Sequence, residues 1–167
     1  MVNALLDGSL RKPGRWGETL GTAAPILLVA VGTIVSGKAG LINIGQEGQL
    51  LVGAAFGTYF GFLIGGPGPV NLVVIVLFGA LGGALWAGVA ALLKFWRDVP
   101  EVLSTLLLVA VGGQLVAYGL SQSWLLLAPL GDRGNRNQVS KQLPKDNRLP
   151  RLEVFGNEIP LAVFIAI

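Results

Sequence analysis

The chain has 167 residues, of which 53% are hydrophobic and 13% are charged, and its mean hydropathy is +0.69. Soluble domains carry about 25% charged residues, so this composition excludes an ordinary soluble domain and indicates a membrane protein. The chain contains no Cys and no His, which excludes disulfides, thiolate or imidazole metal sites and catalysis by these residues. We therefore expect no metal and no cofactor. The net charge of +3 does not require a nucleic-acid partner, because basic residues that flank membrane spans give the same excess.

Four apolar stretches are long enough to cross a membrane, since a spanning helix needs about 20 residues. No charged residue occurs from Gln49 to Leu93 or from Val102 to Gly131. We therefore predict an all-α fold, a polytopic transmembrane helical bundle, in which Pro25 kinks the first span. A fifth apolar stretch at the end of the sequence is too short to cross a bilayer, so we expect a piece of a longer protein. The predicted spans are residues 19–36, 44–64, 70–93 and 100–128, and the fifth begins at 159–167.

The segments between the predicted spans are short, with one exception. Residues 65–69 (GGPGP) and the charged turn KFWRD at residues 94–98 each separate neighbouring spans. Residues 129–158 hold ten charged residues together with several Gly and Pro, which predicts an extramembrane loop. Within this loop, short apolar–polar runs on either side of Gly156 and Asn157 predict a small β-hairpin.

Two of the predicted spans carry small residues at a spacing of four. Such stripes let helix backbones approach closely where no water is present, so we interpret them as packing surfaces. An alternative is that one stripe lines a pathway or slides during gating. The stripe on the second span continues to Gly65, and the stripe on the third continues to Ala87 and Ala91. The glycines expected to pack are Gly53, Gly57, Gly61, Gly79 and Gly83.

Residues 32–39, GTIVSGKA, differ at one position from the nucleotide-binding P-loop G-x-x-x-x-G-K-[ST]. That position is Ala39, where the motif needs a Ser or Thr hydroxyl to hold the magnesium ion of the nucleotide. A P-loop also lies between a buried strand and a helix, whereas apolar spans flank these residues on both sides. We therefore predict a joint between two membrane helices, and no enzyme activity in this chain.

The polar residues of this joint predict the start of a helix. Asn43 can accept a hydrogen bond from the N–H of Gly45 or Gln46, and Gln46 can reach back to the Asn43 N–H in a capping box. Glu47 lies in the first turn, where the helix dipole favours an acidic residue. An ordinary interfacial helix end explains these features. A discontinuous helix near residues 40–48, with its N-terminus facing an interior cavity, is the sharper hypothesis, because transporters build sites in this way. It makes Asn43, Gln46 and Glu47 candidates for the translocation path.

A second capped helix start is predicted at the fourth span. Asp98 can cap the helix, Pro100 suits its first turn, and Glu101 completes a capping box. Polar residues further along this span are also candidates for the translocation path. Their hydroxyls can instead bond their own backbone, and an amide can bond a neighbouring helix. These candidates are Ser104, Thr105 and Gln114.

Two stretches resemble the permease subunits of ABC importers for sugars and nucleosides, a group related to the ribose and branched-chain amino acid permeases. AGLINIGQEGQLLVGA (residues 39–54) is similar to the signature of that group. LKFWRDVPEVLSTLLL (residues 93–108) resembles the stretch in which a basic cytoplasmic turn leads into a helix beginning near NEVI-x-T-x-MLN. The resemblance extends from about Gly8 to the end of the chain. Two departures are Pro100 in place of the Asn before the Glu, and Leu107-Leu108-Val109 in place of Met-Leu-Asn.

The resemblance implies a permease that moves a nucleoside or simple sugar by alternating access, while separate ATP-binding subunits hydrolyse ATP. It also implies a second permease chain, an external solute-binding protein, and a multi-pass location in the plasma membrane of a prokaryote. The turn with Lys94, Trp96, Arg97 and Asp98 is then cytoplasmic and a candidate to face the ATPase, and residues 129–158 lie outside. The main ATPase-coupling region is expected in the missing C-terminal part.

The count of basic residues favours the opposite orientation. Three basic residues precede the first span and six lie in residues 129–158, on one side, whereas the other side has only Lys38, Lys94 and Arg97. We follow the resemblance, because spans outside this sequence can dominate the topology.

Two other classes of function are alternatives. A secondary transporter or channel subunit carries charged residues within the membrane as ion relays, whereas here only Glu47 and Glu101 lie near span ends. A non-transporting membrane scaffold predicts that Asn43, Gln46 and Glu47 can be replaced without effect.

Overall fold

The computed structural model of the chain describes residue 8 and residues 15–122, 125–126, 151–154 and 157–160. Within these residues the chain forms four α-helices followed by an antiparallel β-hairpin, which confirms both the helical membrane fold and the predicted hairpin. In the hairpin, Val154 pairs with Asn157 and Arg151 pairs with Pro160. The elements are α1 (Arg15–Lys38), α2 (Gln46–Ile64), α3 (Gly68–Arg97), α4 (Glu101–Ser121), β1 (Arg151–Val154) and β2 (Asn157–Pro160).

The chain divides into two compact units. The first, Met1–Val35 with Leu149–Ile167, contains most of α1 and the hairpin among its described residues. The second, Ser36–Arg148, contains the end of α1 and the three helices α2, α3 and α4. The expectation that residues 1–167 belong to one permease domain stays a prediction.

Three helices of the described chain are long and apolar enough to cross a membrane: α1 over Thr19–Lys38, α3 and α4. Pro25 lies inside α1, which is helical on both sides of it. The helix α2 was also predicted as a span, but it is not one of these three. It has 19 residues, and it is less apolar because its first turn contains Gln46, Glu47 and Gln49 and its remainder is rich in glycine.

The helix α3 is longer than the predicted third span. It has 30 residues and continues through Arg97, so the predicted turn at residues 94–98 is helical except at Asp98. A helix of this length measures about 45 Å, which exceeds a hydrocarbon core of about 30 Å. The polar end of α3 therefore reaches beyond the hydrocarbon region, where its charged side chains can be hydrated.

The helix α4 is shorter than the predicted fourth span, which was expected to reach residue 128. It ends at Ser121, and the N–H groups of Gln122 and Leu126 both donate to the Gly119 carbonyl, at 3.4 and 3.2 Å. The chain therefore turns back and buries the Leu126 side chain. At the predicted fifth span, Ile159 and Pro160 lie in β2, and residues 161–167 lie outside the described residues.

Glycine residues bring α2 and α3 into direct backbone contact. A Cβ atom added to Gly53 would lie 2.7 Å from the Gly79 carbonyl oxygen and 3.3 Å from the Gly83 nitrogen. A Cβ atom on Gly57 would lie 2.6 Å from the Ile75 carbonyl oxygen. Such distances leave no space for a methyl group, so the two glycine stripes face each other. Beside this contact, the rings of Phe60 and Phe78 stack with centroids 4.1 Å apart.

Helix α4 packs on α2 through glycines that the sequence analysis did not assign to packing. A Cβ atom on Gly48 would lie 3.0 Å from the Cα of Val109, and one on Gly112 would lie 3.5 Å from the Cα of Gly48. The Trp86 indole of α3 donates a hydrogen bond to the Leu108 carbonyl of α4 at 3.2 Å. The start of α2 is thus held between α3 and α4.

Candidate functional site

The chain between α1 and α2 leaves the helical path for a short stretch. Gly40 adopts a positive φ of 77°, and the Leu41 N–H donates to the Ser36 carbonyl at 3.0 Å. Residues 41–45, called the break segment below, are not helical, and α2 begins at Gln46. Residues 32–38 of the P-loop-like motif form the last turns of α1 and follow helix rather than a strand. The motif therefore lacks the strand-to-helix loop that binds phosphate groups in a P-loop.

Asn43 organises the break segment from within. Its Oδ1 atom accepts a hydrogen bond from the Gly45 N–H at 2.9 Å, as predicted for one of its two possible partners. Its amide also forms a reciprocal pair with the amide of Gln49, with N–O distances of 3.3 and 3.2 Å. The residue at the cap position of α2 is Gly45, without a side-chain cap bond, so the prediction that Asn43 caps this helix is wrong. The helix begins two residues later than a cap at Asn43 requires.

The first turns of α4 hold the break segment from the other side. The Ile42 N–H donates to the Glu101 carboxylate oxygen Oε2 at 2.8 Å, and the Ile44 N–H donates to the Thr105 hydroxyl at 3.4 Å. The Thr105 hydroxyl itself donates to the Glu101 carbonyl at 2.7 Å. Gly45 also lies close to Thr105, since a Cβ atom added to Gly45 would be 3.0 Å from the Thr105 Cβ. Backbone N–H groups without helical partners thus find partners on α4.

The capping box predicted at Asp98 and Glu101 does not form. Asp98 ends α3 in a left-handed conformation with φ 52°, and its N–H donates to the Lys94 carbonyl at 3.0 Å. Its carboxylate lies 2.9 Å from the Lys94 ammonium group. The residue that precedes α4 is Pro100, again without a side-chain cap bond. Asp is one of the few residues that adopt a left-handed conformation readily, so it serves the end of α3 rather than the start of α4.

A cavity of about 360 Å³ lies beside the break segment. Polar groups of the break segment, α2, α3 and α4 converge on it, and small residues of α3 leave the space open. A volume of about 300–1,000 Å³ is typical of small-molecule sites. The lining residues are Ser36, Leu41, Ile42, Asn43, Gln49, Ala87, Gly88, Ala90, Ala91, Lys94, Phe95, Glu101 and Thr105.

Only part of the predicted path lines this cavity. Asn43 and Thr105 do, whereas Gln46 and Glu47 in the first turn of α2 are not among the lining residues. Ser104 is buried and donates to the Glu101 carbonyl of its own helix at 3.1 Å. Gln114 is exposed on α4, about 20 Å along the helix from Glu101.

Sequence reasoning missed Gln49 and Glu101 as members of this cluster. Gln49 lies six residues beyond the predicted cap, and Glu101 was assigned to a cap of its own helix. The polarity of Gln49 at the start of an otherwise apolar helix was the one available signal, whereas the contact of Glu101 with Ile42 leaves no local pattern.

The predicted cytoplasmic turn lies at the same end of this unit as the break segment. Lys94 lines the cavity, and Arg97 is exposed. The side chains of Phe95 and Trp96 are 84% and 76% exposed, respectively. Aromatic and basic residues at the end of a long apolar helix are typical of the membrane–water interface.

A second cavity, of about 560 Å³, opens between α2, α3 and α4 further along the helices. Its walls are apolar and aromatic side chains, among them Phe56, Tyr59, Trp86 and Leu126. The first cavity also exposes mainly apolar surface, and it differs in the amide and carboxylate groups at its wall.

The apolar helices, their glycine contacts and the non-helical segment held between them define a multi-pass helical membrane protein. The family described as "Branched-chain amino acid transport system / permease component" matches residues 17–128, and the chain belongs to this family.

Curated relatives agree with the family. The chain is 38% identical over 125 residues to the glucose ABC transporter permease protein TsgB13 of Haloferax volcanii, covering 74% of this chain and 31% of that protein. It is 31% identical over 119 residues to the guanosine ABC transporter permease protein NupP of Bacillus subtilis, covering 71% and 34% of the two chains. The nucleoside ABC transporter permease protein NupB of Lactococcus lactis is 32% identical over 93 residues, 55% of this chain and 26% of that protein.

These matches confirm the resemblance to sugar and nucleoside permeases. The chain spans about a third of the length of the curated relatives it matches. No solved structure matches the chain significantly.

Proposed function

We propose that this chain is part of the permease of an ATP-binding cassette importer that moves a small polar solute by alternating access. The family match over residues 17–128 carries the proposal. Relatives that are named for glucose, guanosine and nucleosides support a simple sugar or a nucleoside as the solute.

The proposed partners are two ATP-binding subunits, a second permease chain and an external solute-binding protein, at the plasma membrane of a prokaryote. ATP hydrolysis is assigned to the separate subunits, and the helical conformation of residues 32–38 supports this assignment. Lys94, Trp96, Arg97 and Asp98 are proposed to face the ATP-binding subunits from the end of α3.

The cavity beside the break segment is proposed to border the translocation path. Asn43, Gln49 and Thr105 offer amide and hydroxyl groups there, which suit the hydroxyls and ring heteroatoms of a sugar or nucleoside. The predicted path residues Gln46, Glu47 and Ser104 lie nearby in the chain, and Gln114 lies furthest from the cavity. Among the candidate path residues, we therefore expect Asn43, Gln49 and Thr105 to affect transport most.

The uptake of labelled glucose and guanosine tests the proposed function. The gene that encodes this chain is deleted and then restored together with the neighbouring transporter genes. We expect deletion to abolish uptake of one solute class and restoration to recover it. Uptake should fail when cellular ATP is depleted and persist when a protonophore removes the ion gradients while ATP is maintained. If uptake is lost when the protonophore removes the ion gradients while ATP is maintained, the protein is instead a secondary transporter.

Variants of the restored gene test the proposed path. Asn43→Ser and Gln49→Ala each break the reciprocal amide pair, and we expect about tenfold slower uptake, which corresponds to about 1.4 kcal/mol. Gln114→Ala is the control, because that side chain is exposed and remote from the cavity. Uptake is normalised to folded permease in the membrane. Normal uptake in both pair variants would show that these amides only shape the start of α2.

A further inference from the structure

The hydrogen bonds between the break segment and α4 form a matched pair of anchors. The donors are the N–H groups of Ile42 and Ile44, two residues apart, and the acceptors are side chains of Glu101 and Thr105, four residues apart. Residues four apart in a helix share a face, so the two acceptors lie one above the other on α4 and meet two N–H groups of the break segment.

This geometry makes Glu101 decisive for the position of Asn43. The anchored residues Ile42 and Ile44 flank Asn43, so the two bonds fix the backbone on both sides of it. The Glu101 bond is the shorter, at 2.8 Å against 3.4 Å, so the Glu101 side chain provides the closer of the two contacts.

We infer that Glu101 is a positioning residue of the transporter, which acts through the backbone N–H of Ile42 to hold Asn43 against the cavity. The inference rests on the proposed function, in which Asn43 borders the path. The Glu101 oxygen accepts a hydrogen bond from a residue 59 positions away in the sequence, and the cap position of α4 has no side-chain cap bond. Glu101 needs no contact with the solute for this role.

An acidic residue in the first turn of a helix has a competing explanation, because negative charge there is favoured by the helix dipole. Two conservative variants separate the explanations. Glu101→Gln keeps the length and the acceptor oxygen but loses the charge. Glu101→Asp keeps the charge but shortens the side chain by one methylene group, so the carboxylate no longer reaches Ile42. Positioning requires that Gln works better than Asp, whereas a dipole effect requires the reverse.

The position of the break segment can be measured without transport. Leu41 is exposed and residues 1–167 contain no Cys, so a spin label on Leu41→Cys reports the segment alone once any cysteines elsewhere in the transporter are replaced. The label is recorded by electron paramagnetic resonance in the complete transporter in lipid nanodiscs. We expect an immobile label with Glu101 or Glu101→Gln, and a mobile label with Glu101→Asp or Glu101→Ala. Ser121→Ala, at the other end of α4, is the control and should leave the label immobile, because the Ser121 hydroxyl bonds the Tyr118 carbonyl instead.

Uptake is measured for the same variants without the label and is normalised to folded protein. We expect uptake to be lower in the variants in which the spin label is mobile. We expect Glu101→Gln to stay within about twofold of the unmodified protein and Glu101→Asp to fall about tenfold, as the loss of a hydrogen bond to a charged acceptor allows. An immobile label in every variant would overturn the inference, and so would better uptake with Asp than with Gln. If the unmodified transporter takes up no sugar or nucleoside, the proposed function fails, while the spectra still decide whether Glu101 positions the segment.

Discussion

At the scale of single residues, Gly53 shows how little space the contact between α2 and α3 allows. A methyl group there would lie 2.7 Å from the Gly79 carbonyl oxygen, which belongs to the backbone and cannot move aside like a side chain. Gly88 lies on the same helix as Gly79, but no atom lies within 4 Å of the position its Cβ would take. The two glycines therefore differ in packing although both lie inside helices.

Gly53→Ala should destabilise the protein, and Gly88→Ala should not. We expect a loss of about 1–3 kcal/mol for the first, because overpacking forces the helices apart. For the second we expect a gain of up to about 1 kcal/mol, since Ala is the better helix former. Thermal unfolding of the two detergent-purified variants is monitored by size-exclusion chromatography, and their melting temperatures are compared. Equal melting temperatures would contradict the close contact of the glycine stripes.

At the scale of elements, the break between α1 and α2 depends on the local backbone as well as on the anchors from α4. Gly40 has a φ of 77°, which L-residues with a side chain rarely adopt. Gly37, three residues earlier, lies inside α1 and would place a Cβ in open space. The turn that ends α1 therefore needs glycine at one of these positions and not at the other.

Replacing each of these glycines with alanine tests this local requirement. We expect Gly40→Ala to cost about 1–2 kcal/mol, which is the penalty of a left-handed conformation for a residue with a Cβ atom. Gly37→Ala should be neutral or stabilising, because it favours helix. Melting temperatures of the two purified variants provide the measurement. A stable Gly40→Ala variant together with a destabilised Gly37→Ala variant would place the end of α1 elsewhere.

At the scale of the whole molecule, the end of α3, the break segment and the start of α4 lie on one side of the membrane. The bonds of Glu101 and Thr105 to the break segment require this arrangement. It agrees with the grouping of Lys38, Lys94 and Arg97 on one side, but it leaves the direction of the protein in the membrane to experiment.

Cysteine labelling in intact cells measures that direction. If the end of α3 is cytoplasmic, an impermeant maleimide should label Asn137→Cys and should not label Arg97→Cys. Residue 137 lies outside the described residues. Both positions should react after the membrane is permeabilised, which controls for accessibility. Labelling of Arg97→Cys alone in intact cells would support the orientation favoured by the count of basic residues.

The sequence by itself determined the class of the protein, the spanning helices α1, α3 and α4 among its four predicted spans, the residues of the glycine stripes and the hairpin. Each depends on composition or on a period within one stretch of chain, so no distant contact is needed to predict it. The family resemblance was also local, because it rests on two stretches that are each continuous in sequence.

Only the tertiary structure decided the partners of the polar residues. Asn43 pairs with Gln49 rather than capping α2, Asp98 ends α3, and Glu101 binds the Ile42 N–H at a separation of 59 residues. The physical reason is that a polar side chain bonds whichever polar group the packed helices bring within reach. The close contact of α2 with α4 at Gly48 brings the break segment to Glu101, and no local propensity encodes that contact.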